Sequence, residues 1–207
     1  MVTITEISRI RSAACIILDT GEKYWIRYDD LSDAGFYPGR TYNAEEFIQQ
    51  IQVLQYPRAL NSAVAMLARR PCSKGEIISR LKQRRFAEDV AELVIYKLEK
   101  EKLLDDRDFC EQWIRYRQNC KYGVSFIRRE LISKGIPEDL IEFALANREI
   151  SDEQINAELL AEKAWKRLKP DEDRHRSREK VIASLLRRGY GWDLAKTACD
   201  VAEKRIK

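Results

Sequence analysis

The sequence predicts a mainly α chain. It reads as tandem three-helix repeats forming an elongated, curved solenoid, right-handed or irregular, behind a small N-terminal α+β module built on a β-hairpin. Three observations predict this. The first 56 residues are β-prone and aromatic, while almost everything from residue 57 onward carries helix signals. A helix–basic turn–helix pattern returns in register at three places. The charge is also divided: residues 1–56 hold five basic and eight acidic side chains, and residues 57–207 hold 33 and 26, so all the positive excess lies in the helical part.

Composition removes several classes. The chain has 207 residues, 38 Lys+Arg and 34 Asp+Glu, a net charge of +4, 35% charged and 44% apolar residues. That is too apolar for a disordered chain and too charged for a membrane protein. No apolar run approaches the roughly 18–20 residues that span a bilayer. Met1 to Glu6 contains no basic segment leading into an apolar stretch, so no signal peptide is expected and the expected location is the cytoplasm. The five cysteines, Cys15, Cys72, Cys110, Cys120 and Cys199, are odd in number and none are spaced CxxC. They suggest neither a disulfide scaffold nor a zinc ribbon. Cys72, in a predicted loop, reads as a small reduced residue rather than a reactive thiol. The single histidine, His175, sits among Asp173, Arg174 and Arg176 and reads as a solvated surface residue. There is no GxxxxGK[ST], GxGxxG or HExxH. Binding is therefore expected rather than catalysis, with no catalytic, cofactor or metal residue.

The elements follow in order. Ala14–Leu18 and Lys23–Tyr28 flank a Gly21-containing turn and predict a hairpin, to which Thr3–Arg11 can add a strand. Pro38-Gly39 marks a second turn. Asn43 precedes Ala44-Glu45-Glu46-Phe47, an N-cap with Glu at N3. About 50 residues are marginal alone, so this module is expected to dock on the rest. Pro57 can open a helix running to Arg70. Ser73 with Glu76, and Ser151 with Gln154, read as capping boxes. Asp105 and Asp106 can cap a helix containing Phe109, Trp113, Ile114 and Tyr116. Pro137 is expected at N1 of another helix, with Glu138 and Asp139 suiting its dipole. Lys169-Pro170-Asp171 should break the last long helical stretch.

The repeat is anchored on Leu81, Phe86, Val90 and Val94, then Leu131, Ile136, Leu140 and Ala144, then Leu185, Tyr190, Leu194 and Ala198. The period is 50 residues and then 54. Gly135 and Gly189 occupy the position that wants a left-handed C′ residue, and Arg85 stands there in the first copy. Upstream helices are expected over Ala59–Arg69, Asp106–Gln118 and Ile155–Leu168. The expected divisions are 1–56 for the module, then 57–105, 106–150 and 151–207 for the repeats. Such self-similarity predicts a stack in which each unit buries a face on its neighbours.

Most charges are interleaved and read as a solvated face. Local basic clusters are the exception. Arg80, Lys82, Arg84 and Arg85 form one, and Arg115, Arg117, Lys121, Arg128 and Arg129 form another, interleaved with Trp113, Tyr116, Tyr122 and Phe126. Lys134 lies in the second basic turn, and Arg187 and Arg188 repeat the theme. These cations and Tyr122 are the expected partner- or DNA-binding residues, because guanidinium groups suit phosphates and acidic surfaces. Arg174, Arg176, Arg178 and Lys180 form a further cluster. Trp113 reads as core, and Trp165 and Trp192 as packing anchors between units.

Here the residues resemble a known family. Leu67-Ala68-Arg69-Arg70-Pro71-Cys72-Ser73, Leu81 and Leu103-Leu104-Asp105-Asp106 carry the likeness in the first unit. The second unit is the most specific, with Phe109-Cys110-Glu111-Gln112-Trp113, Arg117, Gly123, Ile127-Arg128-Arg129-Glu130-Leu131 and Lys134-Gly135-Ile136. Leu185-Leu186-Arg187-Arg188-Gly189-Tyr190 follows in the third. Over roughly residues 59–200 the chain resembles the RecX family, bacterial regulators of the RecA recombinase. Two positions depart from the family pattern: Arg85 replaces a small residue, and Tyr122-Gly123-Val124 replaces the common Gly-Pro. The resemblance implies a non-enzymatic protein that binds the RecA filament on single-stranded DNA, with double-stranded DNA as a further candidate; a monomer is expected, since one suffices for a solenoid. It would inhibit ATP hydrolysis, strand exchange and co-protease activity in DNA repair and the SOS response. Two other readings stay open: a helix-turn-helix DNA-binding protein, since Ser73–Asp106 could pass for one, and a helical-repeat adaptor for another protein.

Overall fold

The structure, a computed structural model, describes residues 1–146, 151–168 and 173–206. The chain forms two compact units, Met1–Asp105 and Asp106–Lys207. The expected capping side chain of Ser151 and the expected break at Lys169-Pro170-Asp171 lie outside the described residues.

The first unit opens with strands β1 (Val2–Ile10), β2 (Ala13–Leu18) and β3 (Lys23–Arg27). A short helix α1 (Asp30–Ala34) and a two-residue strand β4 (Thr41–Tyr42) follow. The sheet has the order β3-β2-β1-β4 and is antiparallel throughout. The hairpin and the added first strand were legible in the sequence; α1 and β4 were not. One face of the sheet buries Ile4, Ile16 and Ile26 against Phe36, Phe47 and Ile51. Tyr42 closes that core, its hydroxyl donating to the Gly35 carbonyl at 2.6 Å.

Asn43 starts helix α2 (Ala44–Leu67), its side chain accepting from the N–H groups of Glu45 and Glu46. The expectation that Pro57 opens a separate helix is corrected. Pro57 lies inside α2, which runs unbroken for 24 residues. Proline costs an internal helix its bond to the carbonyl four residues earlier. That residue is Val53, 73% exposed, so its carbonyl lies on the solvent side. The two halves of α2 serve different cores: Phe47 and Ile51 lie beneath the sheet, and Ala59 and Ala63 lie in the first repeat. Gln55, 1% exposed, joins them. Its amide donates to the Trp25 carbonyl at 2.7 Å and accepts from the Ala87 N–H at 2.7 Å. The N-terminal module thus docks on the first repeat through a shared helix and a buried amide, both partners of which are backbone groups.

The first repeat continues with α3 (Lys74–Gln83) and α4 (Glu88–Lys100). The Ser73–Glu76 capping box is present in both directions. The second unit contains α5 (Asp106–Asn119), α6 (Val124–Ser133) and α7 (Glu138–Ala146), then α8 (Ser151–Trp165), α9 (Arg174–Arg187) and α10 (Trp192–Ile206). Pro137 is the residue before α7 rather than its first helical residue. Its carbonyl accepts the first intrahelical bond, from the Ile141 N–H at 3.1 Å. The anchor residues of each repeat build that repeat's own core. Leu81, Leu131 and Leu185 are fully buried, as are Ala91, Ile141 and Ala195 ten residues later. No described helix is long and apolar enough to cross a membrane.

The three repeated turns close alike. The N–H groups of Phe86, Ile136 and Tyr190 donate to the carbonyls of Leu81, Leu131 and Leu185 at 3.1, 3.1 and 3.3 Å. Those of Arg85, Gly135 and Gly189 donate to Lys82, Ile132 and Leu186 at 2.8, 2.9 and 2.9 Å. This is the Schellman arrangement, with its C′ residue left-handed. The φ angles are +66° at Arg85, +77° at Gly135 and +87° at Gly189. Arg85 bears the steric cost of a side chain in that region. Its guanidinium lies 3.8 Å from the Trp25 ring centroid, a contact that offsets part of the cost. The longer second period has a simple origin. α3 and α6 have ten residues each and α9 has fourteen. Four extra residues add about one turn of 3.6, so the buried face is preserved.

Candidate partner-binding surface

The predicted cations fall into three physical situations. Some are committed to the fold. Arg117 is half-buried, pairs with Glu130 at 2.6 Å and lies 4.7 Å from the Trp113 ring centroid. Glu130 also accepts from the Trp113 indole N–H at 3.1 Å. Lys134 sits 4.1 Å from the Trp113 ring, which stacks on Phe109. Arg84 donates to the buried Ser62 hydroxyl at 2.5 Å, and Arg85 covers Trp25. These side chains hold turns to helices.

Others form exposed pairs. Lys82 pairs with Glu88 at 2.6 Å, Arg128 with Glu142 at 2.8 Å, and Arg115 more loosely with Glu111 at 3.7 Å. Arg80 donates to the Gln83 side chain. Exposed pairs of this kind contribute about 0–1 kcal/mol, so a partner can exchange for them.

The third group gathers at the junction of the second and third repeats. Lys121 and Arg187 form no ion pair among the described residues. Arg129 is exposed and donates only to the Ser125 carbonyl at 3.3 Å. Arg188 donates to the Cys120 carbonyl at 3.3 Å and lies 5.3 Å from the Tyr122 ring. Tyr122 and Phe126 stack at 4.2 Å between centroids.

The backbone of this junction interlocks. The Gly123 N–H donates to the Arg188 carbonyl at 2.9 Å, and the Ser125 N–H to the Gly189 carbonyl at 3.2 Å. The Val124 N–H donates to the Glu153 carboxylate at 3.2 Å. The free donors at the start of α6 are thus satisfied by the third repeat rather than by a side-chain cap of their own. The Tyr190 hydroxyl, buried beneath, donates to the Lys121 carbonyl at 2.9 Å. Burial, with the nearby Glu153 charge, pushes that phenol up to about 12. A Cβ on Gly123 would meet the Gly189 carbonyl oxygen at 2.4 Å, and one on Gly189 would meet the Phe126 nitrogen at 2.3 Å. Two glycines therefore permit backbone to lie on backbone. Sequence reading found Gly189 as a helix cap and Gly123 as a motif residue, but not that they touch. Their signal was the common link to basic turns.

Other expectations resolve simply. Arg174 and Arg178 both bind Glu203, and Arg178 also binds Asp200. Burial alone would raise the Glu203 carboxyl, but hydrogen bonds from the two guanidinium groups outweigh it and hold it below its ordinary value. Two of the four cations of that cluster are thus paired within the repeat, although the Arg174 side chain stays 63% exposed. His175 is exposed and lies 3.3 Å from Glu179. Cys72 is buried, with its thiol against the Arg70 carbonyl. Trp165 packs in the core of its own repeat rather than between units, and Trp192 is 59% exposed and is not the packing anchor expected. No described group of three or more His, Cys, Asp and Glu side chains is arranged to hold a metal.

Comparison with known proteins agrees with the repeat. Three family models match in tandem: the first three-helix domain of RecX over residues 59–98, the second over 105–145 and the third over 151–199. Regulatory protein RecX of Prosthecochloris aestuarii is 37% identical over 134 residues, covering 64% of this chain and 85% of that protein. Its counterpart in Mycobacterium ulcerans is 33% identical, covering 66% and 78%. A crystal structure of regulatory protein RecX superposes with a TM-score of 0.64 at 22% identity, covering 97% of this chain and all of that one. RecX from Lactobacillus salivarius superposes with a TM-score of 0.64 at 24% identity, covering 72% and 97%. With three consecutive domain matches and relatives above 30% identity covered over most of their length, the chain belongs to the RecX family.

Proposed function

We propose that this protein is a non-enzymatic, cytoplasmic regulator that binds the RecA filament on single-stranded DNA and suppresses its ATPase, strand-exchange and co-protease activities. It would act as a monomer in DNA repair and the SOS response. The family supports a regulatory role. The observation that carries the molecular reading is the interlocked junction, where Arg129 and Arg188, from two repeats, lie 6.0 and 5.3 Å from the stacked Phe126 and Tyr122 rings, with Lys121 and Arg187 beside them in sequence. Cations held by a rigid backbone suit a polyanionic, repeating partner, because their positions cost little entropy to maintain on binding. Binding one filament state better than another shifts its population by that difference in affinity and no more.

A sequence-reading helix-turn-helix is less well supported. Helices α4, α7 and α10 each begin with carboxylates: Glu88 and Asp89, Glu138 and Asp139, and Asp193. Charges of that sign at the entering end of a recognition helix would repel DNA phosphate.

The test is DNA-dependent ATP hydrolysis by the cognate recombinase, titrated with wild-type protein and with Arg129→Glu/Arg187→Glu. Suppression at substoichiometric wild-type protein is expected, together with at least a tenfold weaker effect of the variant at unchanged melting temperature. No effect of wild-type protein on hydrolysis would refute the reading.

A further inference from the structure

Helices α1 and α2 enclose a groove on the N-terminal module, with a volume of about 490 Å³. Asp33 lines it from α1, and Glu46, Gln49, Gln50, Val53 and Leu54 line it from α2. No lysine or arginine is among its described lining residues. Among the described residues neither Asp33 nor Glu46 forms an ion pair, and the Gln49 and Gln50 side chains make no hydrogen bond. The apolar part is open as well. Val53 is 73% exposed, more than any other large apolar side chain described except Met1.

Pro57 adds an acceptor to this face. Glu46, Gln50, Val53 and Pro57 are spaced four, three and four residues apart, so they share one side of α2. Proline brings no N–H to the Val53 carbonyl, which therefore lacks its helical donor on the side of the groove. Glu46 and Val53 are seven residues apart, about 10 Å along the helix axis. The groove thus presents carboxylates near one end, a carbonyl in want of a donor near the other, and exposed apolar surface between them. Arginine and lysine match such a surface, because each joins a charged donor to an apolar stem. Nucleic acid does not match it. Residues 1–56 hold five basic and eight acidic side chains, a net of −3, and a field of that sign repels phosphate. The module is therefore opposite in charge to the helical repeats and suits a partner of the opposite kind.

We propose that this groove docks a basic segment with an apolar centre, carried by the recombinase, with one cation against Asp33 and Glu46 and a second at the Val53 carbonyl. The choice of the recombinase rests on the regulatory reading above, and the charge and length of the segment rest on the groove.

The experiment measures binding of the full chain to recombinase filament assembled on oligothymidylate, with suppression of ATP hydrolysis recorded alongside. Four proteins are compared: wild type, Asp33→Asn/Glu46→Gln, Pro57→Ala, and a charge-matched control outside the groove, Glu6→Gln/Asp19→Gln. The groove variant should bind about tenfold more weakly at low salt, and the gap should narrow as salt rises. Pro57→Ala should bind about threefold more weakly, because the restored N–H occupies the Val53 carbonyl. Its melting temperature should rise, so that loss cannot come from unfolding. The control should bind as wild type does. Equal affinity of wild type and groove variant, or an equal loss in the control, would overturn the site, and unchanged binding by Pro57→Ala would overturn the role of the carbonyl. Binding to bare oligothymidylate should not weaken in the groove variant, and a loss there would overturn the assignment to protein. Sedimentation of wild type that shows self-association, abolished in the groove variant, would give the groove to a second copy and overturn the recombinase as its occupant. If the groove variant binds and suppresses as wild type does, the groove fails while the regulatory reading stands; if wild type neither binds nor suppresses, both fall.

Discussion

Replacing Gly123 by alanine tests the interlock between the second and third repeats directly. The residue has φ −79°, which alanine adopts freely, so the substitution adds no backbone strain of its own. Its only new group is a methyl, and that methyl would lie 2.4 Å from the Gly189 oxygen, 2.5 Å from the Gly189 carbonyl carbon and 2.6 Å from the Tyr190 nitrogen. All three are backbone atoms, so no rotamer change relieves the overlap. Ordinary contact requires about 1 Å more, on the 3.5–4.0 Å scale of van der Waals separations. A shift of that size breaks the Gly123–Arg188 and Ser125–Gly189 backbone bonds and displaces the Tyr190–Lys121 and Arg188–Cys120 bonds. At roughly 0.5–1.5 kcal/mol net each, four such bonds amount to about 2–6 kcal/mol. Denaturant unfolding of the full chain should show that loss, and hydrogen exchange should show lost protection at the Gly123 and Ser125 amides. Gly191→Ala is the control, since nothing lies within 4 Å of its added Cβ. A Gly123→Ala protein within 0.5 kcal/mol of wild type, the ordinary range for surface substitutions, would refute the claim that backbone contact holds these repeats together.

Three further outcomes follow from the same structure. Pro57→Ala should stabilise the protein by roughly 1–3 kcal/mol, because it restores a bond in the middle of α2, less the entropy that proline removes from the unfolded chain; an unchanged or lower denaturation midpoint would contradict a continuous helix there. Gln55→Ala should cost about 2–4 kcal/mol, since it strands the buried Trp25 carbonyl and Ala87 N–H together; a loss below 1 kcal/mol would mean that the module is not held by this amide. Tyr190 concerns alkaline stability. Its phenol is raised to about 12 in the folded protein, so above its ordinary value of 10.0 the unfolded chain gives up a proton that the folded one keeps. Stability must then fall as pH rises from about 10 towards 12. Tyr190→Phe should flatten that limb in pH-dependent melting while costing about 1 kcal/mol near neutrality, and an unaltered limb would remove Tyr190 as its cause.

Much of this protein was legible in its sequence because the signals are local. Helix starts are written in residues that cap their own first turn, as Asn43 and Ser73 do. Helix ends are written in glycines at the left-handed position, and the register of the three repeats follows from Leu81, Leu131 and Leu185. Even the inequality of the two periods was visible, although its cause, one added turn in α9, needed the helix limits.

What only the tertiary structure decided involves groups distant in the chain. A proline that reads locally as a helix start sits mid-helix, because two cores, one under the sheet and one in the first repeat, hold both halves of α2. Cations that look alike in sequence separate into buried and exposed according to whether a carboxylate or aromatic ring from another helix meets them, as Glu130 and Trp113 meet Arg117 and nothing described meets Arg187. The contact of Gly123 with Gly189 spans 66 positions and leaves no periodic trace, since a missing side chain signals close approach without naming what approaches. Local backbone preference decides where helices begin and end. Which charges remain for a partner depends on packing, because pairing is settled by distance in space.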